Sequence, residues 1–179
     1  MTFASFAAIA LGVSQPVAGD IVESSSDGFA TSHTALVTAD RATVWHALQH
    51  PENWWAHTWS DNSANLRLDA HAGGCFCETL PAEDGWPAGS VEHMRVVFVR
   101  PGSELRMSGS LGPLQAEGLV GTLSVTLAEE EGGTRITWDY VTGGQARIDL
   151  RQIAPVVDRV QGEFLAGLVA QVGGLADES

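Results

Sequence analysis

The sequence predicts a single α+β domain in which a curved antiparallel sheet of six to seven strands wraps around a long C-terminal helix. Two patterns support this prediction. Apolar and polar residues alternate over several short segments between residues 29 and 140, which is typical of half-buried strands. From Ile153 to Val172, apolar residues instead recur every three to four positions, which indicates an amphipathic helix. Two short helices are expected after the first strand.

The composition is that of a globular and strongly acidic chain. Its 179 residues leave room for one domain with a sizeable core. Asp and Glu number 22 against 9 basic residues, all of them arginine, and the formal net charge is −13. A surface of this charge offers no basic patch for phosphate groups, so nucleic acid and anionic lipid are not expected as partners.

The N-terminal residues differ in character from the rest of the chain. Phe3 to Val13 is an almost unbroken run of apolar and small residues, and Val17-Ala18-Gly19 follows it. We interpret residues 1–19 as a signal peptide cleaved after Ala18 or Gly19, although no positive charge precedes the apolar run. The run is too short to span a bilayer, so no stable membrane span is expected.

This interpretation sets the expected domain boundaries and location. Residues 20–28 are expected to be a linker, residues 29–174 the folded domain and residues 175–179 a tail. Export would place the domain in the periplasm or outside the cell. The alternative is an apolar extension of a cytoplasmic protein.

The elements of the domain follow from local patterns. Phe29 to Ala39 predicts the first strand, Asp40 an N-cap for a short helix, and Pro51 the start of a second helical turn. Pro155 is expected in the first turn of the C-terminal helix, and Gly173-Gly174 at its end. The remaining strands are expected near residues 64–69, 75–80, 91–99, 105–108, 119–127 and 135–140.

The order of these elements predicts a cavity. A single helix is about 10 Å across with its side chains. A sheet with strands about 4.8 Å apart is much wider than that, so one helix cannot cover a flat sheet of this size. The sheet must therefore curl around the helix, and any gap between them becomes a pocket.

Three short motifs resemble those of a known superfamily. They are the strand-to-helix segment Ala39 to Trp45, the P-x-x-W turn Pro51 to Trp54, and the GG-x-F strand start Gly73 to Phe76. From about Phe29 to Val172 the chain resembles the START-like (SRPBCC) superfamily, and within it the polyketide cyclases and homologues of the activator of the Hsp90 ATPase. This resemblance implies a helix-grip fold and a pocket for a small, mainly apolar ligand. It also implies cyclisation or hydrolysis in some members.

Glu78, Glu92 and His93 are the candidate catalytic residues. If Leu80 pairs with Gly89, Glu78 lies opposite Val91 and diagonally from His93, where a carboxylate can orient a general base. We expect this pair on the outer face as a solvated ion pair, because three apolar residues of the strand predict the core face: Met94, Val96 and Phe98. In the alternative register Glu92 points inward and becomes a buried acid with a raised pKa.

Trp54, Trp55 and Trp59 form the most informative cluster, because three tryptophans so close together are difficult to bury fully. They are expected either to line the mouth of the pocket or to divide between core and surface. The full set of predicted ligand-binding residues is Trp54, Trp55, Trp59, Cys75, Cys77, Met94, Met107, Trp138, Tyr140, Phe164 and Leu168.

Cys75 and Cys77 are the only cysteines. Residues two apart on one strand are near the upper limit for an unstrained disulfide, so we expect small buried side chains. Zinc binding is the alternative, and it needs two further ligands that no histidine spacing supplies. No metal and no cofactor are therefore predicted.

Three functions remain open from the sequence. The first is binding of a small hydrophobic or aromatic molecule between sheet and helix. The second is a cyclase- or hydrolase-type enzyme with a pocket Glu or His as general acid or base. The third is an interaction module of the chaperone-activator kind, which requires an exposed apolar patch. The expected partner is a small apolar molecule, and the sequence does not identify a protein partner.

Overall fold

A computed structural model describes residues 18–176, which form one open, curved, eight-stranded antiparallel sheet and a long C-terminal helix. The predicted α+β helix-grip fold is confirmed. The spatial order of the strands is β1-β2-β8-β7-β6-β5-β4-β3. The strands are β1 (Ala18–Ser24), β2 (Gly28–Val37), β3 (Leu66–Leu68), β4 (Cys75–Leu80), β5 (Gly89–Arg100), β6 (Glu104–Ser108), β7 (Gly118–Glu130) and β8 (Gly133–Gln145).

The helices lie at the two expected places in the chain. Helix α1 (Arg41–Leu48) begins at Asp40, whose Oδ1 accepts a hydrogen bond from the Thr43 N–H at 2.7 Å. A short 3-10 turn (Pro51–Asn53) follows, so both short helices after the first long strand are present. Further 3-10 turns lie at Ser63–Asn65 and Gly112–Ala116, and the long helix is α2 (Leu150–Gln171).

Helix α2 begins earlier than the pattern predicts. Asp149 caps it through a 3.0 Å hydrogen bond from the Arg151 N–H, so Pro155 lies in the second turn and not in the first. Gly173 and Gly174 adopt φ angles of 99° and 96° and end the helix, as predicted.

The N-terminal boundary also differs from the prediction. Residues 20–24, expected in a linker, belong to β1, which pairs with β2 from Ala18 opposite Thr34 to Ser24 opposite Phe29. The serines beyond β1 form a tight turn, in which the Ser25 N–H donates to the Gly28 carbonyl at 2.8 Å. The predicted signal peptide lies, for residues 1–17, outside the described residues, as do residues 177–179 of the expected tail. In the described part of the chain, no helix is long and apolar enough to cross a membrane.

The core lies between the sheet and α2. The hairpin of β7 and β8 buries the apolar residues of its alternating pattern: Leu119, Leu123, Val125, Leu127, Ile136, Trp138 and Tyr140. The apolar face of helix α2 is wide enough to contact both the core and a cavity. Leu165, Leu168 and Val169 are buried in the core, whereas Ile153 and Val160 are only half-buried, on the side of the helix that lines a cavity.

Strand β5 carries two bulges that change which residues face the core. Phe76 pairs with Met94 and Cys77 with Glu92, so His93 is left without a partner. Val97 is skipped in the same way between Val96 and Phe98 on the β6 side. An extra residue in a strand reverses the alternation beyond it. The prediction that Phe98 faces the core is therefore wrong: its ring lies opposite Arg106, whose guanidinium is 5.3 Å from the ring centroid.

Candidate functional site

A cavity of about 280 Å³ lies between α2 and the two loop segments that face it. One wall is the outer part of the apolar face of α2. The opposite walls come from the segment after Trp55 and from residues 111–114, which include the start of the 3-10 turn Gly112–Ala116, and His93 also lines the cavity. The lining residues are Trp55, His57, Thr58, Trp59, His93, Leu111, Gly112, Pro113, Leu114, Ile153, Val156, Val157, Val160, Gln161 and Phe164.

Aromatic rings form one side of this cavity. Trp55 stacks on Phe164 with ring centroids 3.4 Å apart and planes inclined by 17°. Trp55 and Phe76 meet edge to face, with their ring centroids 4.7 Å apart. Trp54 lies behind in the core, where its indole N–H donates to the Ala47 carbonyl at 2.9 Å. Trp59 stays 55% exposed at the rim. The tryptophan cluster thus divides between core, cavity wall and surface.

The bulge in β5 directs His93 into the molecule. Because it has no partner on β4, His93 and its neighbour Met94 both face inward, and both are at most 3% exposed. The predicted pairings of Leu80 with Gly89 and of Glu78 with Val91 are confirmed. The expectation that Glu78 and His93 lie in solvent on the outer face is wrong, because the bulge places both on the inner face.

Glu78 is fully buried and accepts three hydrogen bonds. Its Oε1 accepts from the Ser60 N–H at 2.6 Å, and its Oε2 from the Trp59 N–H at 3.0 Å. The same Oε2 lies 2.9 Å from Nε2 of His93. A carboxylate only accepts, so Nε2 carries the proton and Nδ1 keeps the lone pair of the ring. Within residues 18–176, no hydrogen bond to this Nδ1 occurs.

These contacts fix the charge state of the pair. Burial alone would raise the pKa of Glu78, but the hydrogen bonds from Ser60, Trp59 and His93 together outweigh it and hold its pKa below the ordinary 4.5. Burial lowers the pKa of His93 below 6.5, and Glu78 opposes this only in part. Near neutral pH the site therefore contains an ionised Glu78 and a neutral imidazole, which is able to accept a proton at Nδ1.

A second histidine–carboxylate pair lies at the rim. Nε2 of His57 is 2.7 Å from Oε2 of Glu163 on α2, and the two side chains are about half exposed. The His57 ring also meets the edge of Phe164 at 5.3 Å. Glu163 was not among the predicted site residues, because its position on α2 lies outside the predicted apolar stripe.

Other cavity residues were missed for a related reason. Leu111 and Leu114 flank a Gly-Pro turn that has no strand or helix period, and Gln161 is a polar residue buried on α2. Gln161 accepts a 2.8 Å hydrogen bond from the indole N–H of Trp138. The two leucines next to Gly112-Pro113 could have indicated this wall of the cavity, because apolar side chains in a turn are expected to pack against another part of the molecule.

The remaining predicted ligand-binding residues do not line this cavity in the described part of the chain. Five of them are packed in the core beneath it: Trp54, Met94, Met107, Trp138 and Tyr140. Leu168 is also fully buried. Of the eleven predicted, Trp55, Trp59 and Phe164 line the cavity wall. The inward orientation considered for Glu92 is wrong, since its side chain is 45% exposed and pairs with Arg95.

Cys75 and Cys77 lie on the other side of the sheet. They are opposite Arg95 and Glu92, whose side chains are exposed, so they do not contribute to the cavity. Their sulfur atoms are joined in a disulfide, with Cα atoms 5.4 Å apart. The spacing argument against a disulfide is therefore wrong. A carboxylate oxygen of Glu92 lies within 4.8 Å of both sulfurs, which makes three ligand atoms where zinc prefers four.

Comparison with known proteins establishes the fold. No protein-family model and no curated protein matches the sequence. Among solved structures, an uncharacterised protein from Rhizobium leguminosarum is 18% identical, with a TM-score of 0.56 over 80% of this chain and 93% of that one. Protein SA2116 of unknown function from Staphylococcus aureus is 13% identical, with a TM-score of 0.58 over 82% and 94%. Mll3558 from Rhizobium loti is 17% identical, with a TM-score of 0.57 over 88% and 99%.

These similarities extend over nearly the whole of the other chains. They support the fold, which is the coarser part of the resemblance seen in the sequence, and they show no family. At identities below 20% they carry no activity with them. The function of this chain must therefore be argued from its own cavity.

Proposed function

We propose that this chain binds a small, mainly apolar molecule in the cavity between α2 and the loops at residues 55–59 and 111–114. The observation that carries the proposal is the lining. Aromatic and aliphatic side chains surround a space of about 280 Å³, and only a few polar groups reach it. Ligand sites commonly combine an apolar wall with a few placed polar groups.

The size of the cavity limits the ligand. Pockets for drug-sized molecules span about 300–1,000 Å³, so a space of about 280 Å³ suits a smaller molecule. The flat Trp55 and Phe164 rings favour an aromatic or otherwise planar group. The imidazole Nδ1 of His93 offers an acceptor for one hydroxyl or N–H of that ligand.

A cavity-filling substitution tests this proposal. Val160 is half-buried on the cavity wall, and Val160→Trp places a large ring in the space. We expect the affinity for the neutral apolar dye N-phenyl-naphthylamine, measured by fluorescence titration, to fall at least about tenfold, or about 1.4 kcal/mol. Val120→Trp is the matched control, because Val120 is 67% exposed on the sheet. Equal affinities in the two variants would exclude this cavity as the binding site.

General base catalysis by His93 is the second candidate function. The observation that favours it is the buried Glu78–His93 pair, in which Glu78 orients the ring and would stabilise the imidazolium formed when Nδ1 takes a proton. This arrangement suits the hydrolase- or cyclase-type chemistry considered from the sequence. The chaperone-activator interaction remains a prediction that no observation favours.

The catalytic candidate has its own test. We expect slow hydrolysis of the activated ester p-nitrophenyl acetate, with a rate that rises with pH and reaches half of its maximum below the ordinary imidazole pKa of about 6.5, because burial lowers the pKa of His93. His93→Gln should remove this rate, whereas His57→Gln, altered at the rim of the same cavity, should keep most of it. A rate in His93→Gln equal to that of the wild type would rule out His93 as the base.

A further inference from the structure

The cysteine pair lies on the outer face of strand β4. Cys75 and Cys77 flank Phe76 on β4. The side chains of Phe76 and Glu78 both face the interior. The two sulfurs are thus on the outer face, separated from the cavity by the sheet. Any chemistry at this pair is independent of the function proposed above.

The two sulfurs differ in access. Cys77 is 6% exposed, whereas Cys75 is only half-buried. The cross-strand neighbour of Cys75 is Arg95, and that of Cys77 on β3 is Arg67. Both arginine side chains are more than half exposed. Each guanidinium pairs with a carboxylate, Arg67 with Asp69 and Arg95 with Glu92, and a Glu92 oxygen lies within 4.8 Å of both sulfurs. The exposure of the two cysteines, and not the charge around them, therefore distinguishes one from the other.

We propose that Cys75 and Cys77 form a reversible disulfide that exchanges with small thiols in solution, with Cys75 as the sulfur that is attacked. Access decides the order of events, because an incoming thiolate reaches Cys75 and cannot reach Cys77 without local opening. Cys77 is held beside Cys75 on the same strand, so it serves as leaving group in reduction and as the resolving thiol in oxidation.

The exchange is balanced with a small thiol, RSH, as the reductant. The thiolate RS⁻ attacks Sγ of Cys75, the bond between the two cysteines breaks, and Cys77 leaves as a thiolate that takes a proton. A second RS⁻ attacks the sulfur of the bound RS group, which releases the disulfide RSSR and leaves Cys75 as a thiolate. The protein disulfide gains two electrons, two thiols lose one each, and their two protons pass to the cysteines.

Glutathione is the probe for the test. The full-length protein is equilibrated in buffers of different reduced-to-oxidised glutathione ratio, with a chelator present and no denaturant. Free thiols are then trapped with N-ethylmaleimide and counted by intact mass. We expect a single two-electron transition from the disulfide to the doubly alkylated form. A disulfide that survives excess reduced glutathione, or two thiols that stay free in oxidised glutathione, would overturn the proposal.

Two single variants test the order of attack. Cys77→Ala should accumulate one glutathionyl group on Cys75. Cys75→Ala should be modified at least about tenfold more slowly, because the remaining sulfur is buried. Equal rates in the two variants would refute Cys75 as the entry point. Peptide mapping of the mixed disulfide in partly reduced wild-type protein identifies the attacked cysteine without a substitution. A glutathionyl group on Cys77 would likewise refute Cys75 as the entry point.

Discussion

Replacing Glu78 by Gln is the sharpest test of the buried network. Glu78 is fully buried, and its two oxygens accept from the Trp59 and Ser60 N–H groups and from His93. Glutamine has nearly the same shape but only one oxygen. The NH₂ group of the glutamine must therefore face at least one N–H group of the protein. Both groups are donors, so that N–H loses its hydrogen-bond acceptor.

The structure sets the size of the expected loss. If the single oxygen of the glutamine serves Trp59 and His93, the Ser60 N–H loses its partner, which costs about 1–3 kcal/mol. The two remaining hydrogen bonds change from charged to neutral acceptors, which weakens each by about 1 kcal/mol. Burying an amide costs less than burying a carboxylate, and this offsets part of the loss. The free energy of unfolding should therefore fall by about 2–3 kcal/mol.

Urea denaturation measures this loss. With a slope of about 1–3 kcal/mol per molar urea, the midpoint should fall by about 0.7–3 M. Glu92→Gln is the matched control on the neighbouring strand, where the exposed side chain should change stability by no more than about 0.5 kcal/mol. If the two variants unfold at the same urea concentration, the buried network does not contribute as argued here.

The remaining predictions concern the pH dependence of stability. The pKa of His93 is lowered on folding, so below about pH 6.5 the unfolded chain binds a proton that the folded chain does not, and wild-type protein should lose stability there relative to His93→Gln. The pKa of Glu78 is also lowered, so a further loss should follow below about pH 4.5 and be absent from Glu78→Gln. Since Glu78 is the group that raises the pKa of His93, the first of these losses should be deeper in Glu78→Gln. Urea titrations at several pH values measure all three, and parallel curves for the three proteins would contradict the assignment.

Local patterns predicted most elements of the fold, although not strand β1. The alternation in β7 and β8 identified the buried apolar side chains of that hairpin, because a strand places successive side chains on opposite faces whatever surrounds it. Asp40 and Gly173-Gly174 marked helix ends correctly, because capping depends on residues a few positions apart. The pairing of Glu78 with Val91 followed from the loop between β4 and β5.

The two bulges of β5 could not be predicted from local patterns. The unpaired residue at position 93 reverses the alternation of faces, the unpaired residue at position 97 reverses it again, and nothing in the local composition marks either position. Phe98 was placed in the core for the same reason, although it lies outside against arginine side chains. The disulfide between Cys75 and Cys77 also depended on the local backbone, whose Cα separation is 5.4 Å, shorter than a fully extended strand gives.

The sequence by itself determined the fold class, the order of the elements and most of the core, because these follow from the spacing of apolar residues along the chain. Only the tertiary structure decided where the cavity lies and that His93 and Glu78 meet beside it. Both results depend on strand register and on the distance between α2 and loops that are far away in sequence. A shift of one residue in register reverses the faces of a strand, and the energy that selects the register comes from all the contacts of the assembled domain.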